Sequence, residues 1–287
     1  MSKKLINNIL VLLIIVLSLI VSTYGFFSNK MVYENKTIQT INGEIITLYG
    51  KGLYFNDSIS MSAQARAQDF VTLVIGIPLL IVSLFLSNKN SLRGKLLLTG
   101  TLGYFLYTYA SYSFVVTYNM FFLLYTILMS LSLFSFIANI TSPELKNLEN
   151  HFSNKFPKKL IGILIIFIGI IVCLMWLGMI LSSLNRAPID LEHYTTLVIQ
   201  AMDLGFIVPV AILSGILLIR NKSLGYLLGT VIIIKGVTLS LAVTMMVVFM
   251  ILSGVNVSII EIIVFPLIAL LCIFGLGIVL KNIVKKE

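Results

Sequence analysis

The chain has 287 residues, 59% of them hydrophobic and only 11% charged, with a mean hydropathy of +1.06 and a net charge of +9. A soluble domain carries about 25% charged residues, so a soluble enzyme or binding module is excluded. Apolar stretches of about 20 residues recur along the whole length, whereas a β-barrel would alternate polar and apolar residues. The expected fold class is therefore all-α, a polytopic membrane protein whose first partner is the lipid bilayer.

Eight transmembrane helices are predicted, at Leu5–Phe26, Phe70–Leu86, Leu96–Val116, Met120–Ile140, Leu160–Leu181, Thr195–Leu218, Leu224–Leu252 and Val257–Leu280. Lys3 and Lys4 before the first span resemble the start of a secretory signal. Thr23-Tyr24-Gly25 would be a poor cleavage site, so span 1 is expected to stay. Between spans 1 and 2 lies an outside loop, residues 27–69. Its β-branched residues flank Asn42-Gly43, which favours the positive φ angles of a type I′ turn. A hairpin is expected over 36–49, and Ser60–Gln68 reads as a helical lead-in to span 2.

The basic residues punctuate the spans. One set of loops and termini carries 14 Lys and Arg. The opposite set carries five: Lys30, Lys36, Lys51, Arg66 and Arg186. The rule that cytoplasmic loops are positive places both termini in the cytoplasm. Because the charge marks topology, nucleic acid is not an expected partner.

The two halves of the chain share a pattern. Lys3-Lys4-Leu5-Ile6 opens span 1 and Lys158-Lys159-Leu160-Ile161 opens span 5. Asp69, Pro78 and Asn88-Lys89 follow one another in span 2, as Asp203, Pro209 and Asn221-Lys222 do in span 6. This predicts a parallel 4+4 internal repeat. The first four-helix half would cover residues 1–141, a cytoplasmic linker 142–157 and the second half 158–287.

Lys235 is the strongest functional pointer. It lies inside an apolar run, with about 11 residues on one side and about 17 on the other. An ammonium at bilayer depth costs at least about 2.5–3.5 kcal/mol on insertion scales, so the fold must supply an anion or water. Asp203 on the preceding span is the expected partner. From the helical rise, Asp69 and Asp203 lie about 25–28 Å from their cytoplasmic ends, Glu261 about 30 Å and Lys235 about 20 Å. His193, Thr196, Gln200 and Asp203 would share one helix face, and Gln64, Gln68 and Thr72 step by four along span 2. Tyr104, in a tyrosine-rich span 3, falls near Lys235 in one alignment of the halves.

These residues predict a binding site built from Asp203, Lys235, Asp69, Glu261, Gln200, Gln68 and Tyr104, taking a small polar solute or ion between the halves. The bland counterpart is an Asp203–Lys235 pair that only locks span 6 to span 7. Zinc-protease, nucleophile-elbow, P-loop and dinucleotide motifs are all absent from the sequence. Cys173 and Cys272 sit in separate apolar runs, so neither a disulfide framework nor a Cys-rich metal site is expected. No cofactor is expected.

The run Ser58-Ile59-Ser60 through Ala67-Gln68-Asp69 and Thr72-Leu73, with Gly103-Tyr104-Phe105-Leu106-Tyr107-Thr108-Tyr109 after it, resembles a bacterial multi-pass membrane protein family of unassigned function. The resemblance extends to Tyr194-Thr195-Thr196-Leu197 and Asp203. It implies a bacterial plasma membrane and carries no activity. The leading expectation is a transporter or solute-binding protein. The alternatives are a non-catalytic sensor, immunity or assembly subunit that meets a protein partner through its outside loop, and a membrane-embedded enzyme.

Overall fold

The computed structural model describes residues 3–40, 43–183 and 191–284. Ile41 and Asn42 of the expected turn, Arg186 of the outer basic set, and Lys285 and Lys286 lie outside the described residues.

Among the described residues, eight long helices form the body: α1 (Lys3–Phe27), α2 (Ile59–Asn88), α3 (Leu92–Phe114), α4 (Phe122–Ile140), α5 (Lys158–Ser183), α6 (Val198–Ile219), α7 (Ser223–Leu252) and α8 (Ile259–Asn282). Seven are long and apolar enough to cross a membrane, and the chain is an all-α, multi-pass integral membrane protein. The exception is α3, which carries Arg93, Lys95, four tyrosines and three threonines in 23 residues. It packs against α2, α4 and α7 at the centre of the bundle. Protein rather than lipid faces most of its surface, so its polar groups find partners there.

Two apolar cores result. One joins α1, α2, α3 and α4 around Tyr104, Phe105, Tyr109, Tyr112 and Tyr125. The other joins α5, α6, α7 and α8 with the 142–157 linker, whose Phe152 and Phe156 stack against Tyr226. Helices α3 and α7 contribute to both. Their backbones approach closely at Gly100, where a Cβ would come within 2.5 Å of the Ile234 side chain.

The loop after α1 carries the hairpin. β1 (Thr37–Gln39) pairs antiparallel with β2 (Ile45–Thr47), Ile38 opposite Ile46. Gly43 has φ +85°, the left-handed region that the Asn-Gly pair favours. The loop is fastened to the bundle by Tyr54 on Asp69, by Arg66 donating to the Tyr49 hydroxyl (2.9 Å), and by the Thr117 N–H donating to Asp57 (2.9 Å).

Helices α2 and α6 are interrupted in the same way. A π turn covers Thr72–Gly76 in one and Asp203–Ile207 in the other, each followed by proline as the second residue of a 12-residue helix. A proline ring clashes with the carbonyl four residues back. Widening the turn just before Pro78 and Pro209 relieves that clash and lets the helix continue. Both helices then end at a left-handed asparagine, Asn90 (φ 57°) and Asn221 (φ 59°). In both corners a glycine lets the next helix pass close by: a Cβ on Gly94 or Gly225 would meet a backbone carbon, of Leu86 at 2.5 Å or of Leu217 at 2.3 Å.

Candidate functional site

The site is assembled where α3, α5, α6 and α7 meet. Asp203 opens the π turn of α6 and is 9% exposed. Both its oxygens accept a hydrogen bond, Oδ1 from the Tyr107 hydroxyl of α3 (2.7 Å) and Oδ2 from the Trp176 indole N–H of α5 (2.9 Å). Lys235 of α7 is 7% exposed, and its Nζ lies 4.0 Å from the centroid of the same Tyr107 ring. Tyr107 therefore serves two charges, its hydroxyl holding the carboxylate and its face holding the ammonium.

The expected direct Asp203–Lys235 pair is not formed: the two charged groups are not within 4.0 Å of each other. Adjacent helices brought the residues to the same region, where each engages Tyr107 instead of the other. Among the described residues, Lys235 Nζ has no hydrogen-bond acceptor. A desolvated cation–π contact is worth about 2 kcal/mol, whereas desolvating an ammonium costs several kcal/mol. The ring alone does not balance that cost, so water or an anion must reach the amine.

The fold provides the space. A chamber of about 110 Å³ lies among α5, α6, α7 and α8, with Lys235, Asp203 and Ser240 as polar groups in a wall otherwise built from residues such as Ile168, Val172 and Ile268. A larger cavity of about 470 Å³ lies toward the side of the hairpin loop. Asp203 and Phe265 belong to the walls of both. Tyr107 and Trp176 line the larger one.

The remaining expected site residues divide. Gln68, Gln200 and Glu261 line the larger cavity. Gln68 donates to Tyr104 (2.8 Å) and Thr108 (2.9 Å), and Gln200 reaches the Met179 sulfur at 3.9 Å. Glu261 also closes a capping box at the start of α8: its carboxylate accepts from the Ser258 N–H (3.0 Å), and its own N–H donates to the Ser258 hydroxyl (3.2 Å).

Asp69 and Tyr104 lie in neither cavity wall. Asp69 is fully buried in the first core, accepting from Tyr54 (2.6 Å) and Tyr112 (3.0 Å). Burial first, then the Asp69 carboxyl, push the Tyr54 hydroxyl well above its ordinary pKa, so it stays a donor. Gly25 of α1 passes over this carboxyl; a Cβ there would come within 2.0 Å of Asp69 Oδ2. Consecutive helical residues diverge by about 100°. Gln68 can thus face the cavity while Asp69 faces α1. Tyr104 is fully buried and bonded to Thr72 (2.9 Å) as well as Gln68.

The shared face expected for His193, Thr196, Gln200 and Asp203 is also revised, because α6 begins only at Val198. Glu192 adopts a left-handed φ of 49°, and His193 instead contacts Thr117 (2.9 Å) and Asp57 (3.9 Å).

Tyr107, Trp176 and Glu192 are site residues that the sequence reading did not select. Trp176 is the only tryptophan of the chain and stands inside an apolar run, which was a usable signal. Tyr107 differs from its tyrosine neighbours only by helix face. Comparison with protein-family models, curated proteins and solved structures returns no match.

Proposed function

We propose that this protein binds a small polar solute or ion in the larger cavity and carries it across the membrane. One observation supports this reading above the others: the embedded carboxylate and the embedded ammonium border open space instead of each other. A purely structural pair would be expected to close that space and bond directly, because separating two buried charges forfeits their mutual attraction. Asp203 holds the charge of the site, Tyr107 and Trp176 fix its orientation, and Lys235 balances it. Protonation of Asp203 would supply a means of coupling. The 14-to-5 distribution of basic residues supports a cytoplasmic location for both termini. The cavity would then face outward, and the resemblance noted in the sequence supports a bacterial plasma membrane. The matched corners of α2 and α6 support the 4+4 repeat, with Thr72 rather than Asp69 in the place of Asp203, and Tyr104 in the place of Lys235.

The test is uptake of a panel of labelled solutes into proteoliposomes. Uptake abolished by Asp203→Asn and by Lys235→Met, in variants that keep the wild-type melting temperature, supports the reading. Uptake indifferent to both substitutions removes it. Labelling of Gln200→Cys by an impermeant maleimide added to whole cells, with Cys173 and Cys272 replaced by serine, checks the orientation.

A further inference from the structure

The walls of the larger cavity bear on the charge of its solute. Three carboxylates line it, those of Glu192, Asp203 and Glu261, and among the described residues no Lys, Arg or His does. Tyr107 and Trp176 stand against Asp203, and the same cavity is lined by the thioethers of Met179 and Met246. Aromatic faces attract cations through the ring quadrupole, tryptophan most strongly, and such cages hold quaternary ammonium groups. Methionine adapts its shape to apolar substituents.

Lys235 supplies an independent observation. Its ammonium is nearly buried, has no hydrogen-bond acceptor among the described residues, and rests on the ring whose hydroxyl holds Asp203. The protein thus already seats one cation, tethered through α7, in the field of that carboxylate. An anion entering from the loop side would instead approach the Asp203 and Glu261 carboxylates, and like charges brought together cost several kcal/mol.

We infer, building on the solute-binding reading, that the larger cavity takes an organic cation. Its charged centre sits beside the Asp203 carboxylate and against the face of the Trp176 ring, and its apolar substituents lie against Met179 and Met246. Lys235 competes for the same electrostatic well from the chamber side.

Trp176 is the only tryptophan and donates to Asp203, so intrinsic emission reports on this site. The full-length protein in lipid nanodiscs is titrated with tetraphenylphosphonium and with tetraphenylborate, ions of matched size and shape and opposite charge. The expected result is a saturable emission change with the phosphonium alone. Its apparent affinity falls about tenfold or more in Asp203→Asn and rises several-fold in Lys235→Met. A saturable response to the borate alone overturns the cation assignment and leaves a solute-binding cavity in place. Saturation by neither ion overturns the assignment and also removes the cavity as a binding site. Phosphonium binding of equal strength in wild type, Asp203→Asn and Lys235→Met overturns it too.

Discussion

Asp69 and Asp203 make the most instructive pair in this molecule. Both sit on proline-bearing helices at similar depth, and both accept two side-chain hydrogen bonds. Around Asp69 the first four helices close completely. Two tyrosine hydroxyls satisfy the carboxyl, a glycine lets α1 cover it, and no exposure is left. Around Asp203 the bundle stays open, and the Lys235 ammonium is held on an aromatic face rather than by the carboxylate. An acid inside a membrane is thus informative only together with what seals it. The same residue type, about one turn apart along two similarly interrupted helices, serves as a core fastener in one place and as a cavity wall in the other.

Substitutions can break or sharpen this contrast. The largest effect is expected from Asp69→Ala, which strands two buried tyrosine hydroxyls. A loss of about 3–5 kcal/mol should appear as a lower melting temperature in detergent, whereas Asp203→Asn should shift stability by less than about 1 kcal/mol. Equal losses in both would erase the distinction. Next is Gly25→Ala, whose added methyl meets the Asp69 carboxyl. It should cost about 1–3 kcal/mol, read in the same melting assay, and a neutral result would mean that the α1 contact is loose. Lys235→Met removes an ammonium without an acceptor and should leave stability unchanged or raise it by about 1 kcal/mol. A clear loss would return Lys235 to a structural role. The smallest difference is between Tyr104→Phe and Tyr107→Phe. The first breaks bonds to Gln68 and Thr72 and should cost about 1 kcal/mol of stability with solute binding intact. The second should weaken solute binding while the melting temperature holds. The reverse pattern would exchange their roles.

Much of the scaffold was legible because the bilayer enforces it. Runs long enough to span set all eight helices, although α6 starts at Val198 rather than Thr195, and α2 takes in the lead-in from Ile59. Asn-Gly set the hairpin. Within the site, depth arithmetic brought Asp203 and Lys235 to one region but could not set their separation. That depends on a third side chain, Tyr107, contributed by a helix distant in sequence. The rise per residue gives height and not azimuth. Hence Tyr104, one turn from Tyr107, and Asp69 are expected in the binding site from height alone, although both are buried in the first core. Asp69 and Asp203 do not occupy matching places in the two interrupted helices: the π turns, which no composition reveals, pair Thr72 with Asp203.

The polarity of α3 has a consequence for biogenesis. Its Tyr104 and Tyr112 find partners on α2 and its Tyr107 on α6, Arg93 bonds the Ile283 carbonyl beyond α8, and α2, α4 and α7 pack around the helix. A segment emerging from the ribosome has none of those neighbours, and hydrocarbon offers its side chains no partners. Partition into lipid by α3 alone is therefore unfavourable, and its entry must be concerted with the strongly apolar α4 that follows it. A nascent chain ending at Phe114 should leave α3 at the membrane surface, and extension through Ile140 should draw it in, as glycosylation mapping of the α3–α4 turn would show.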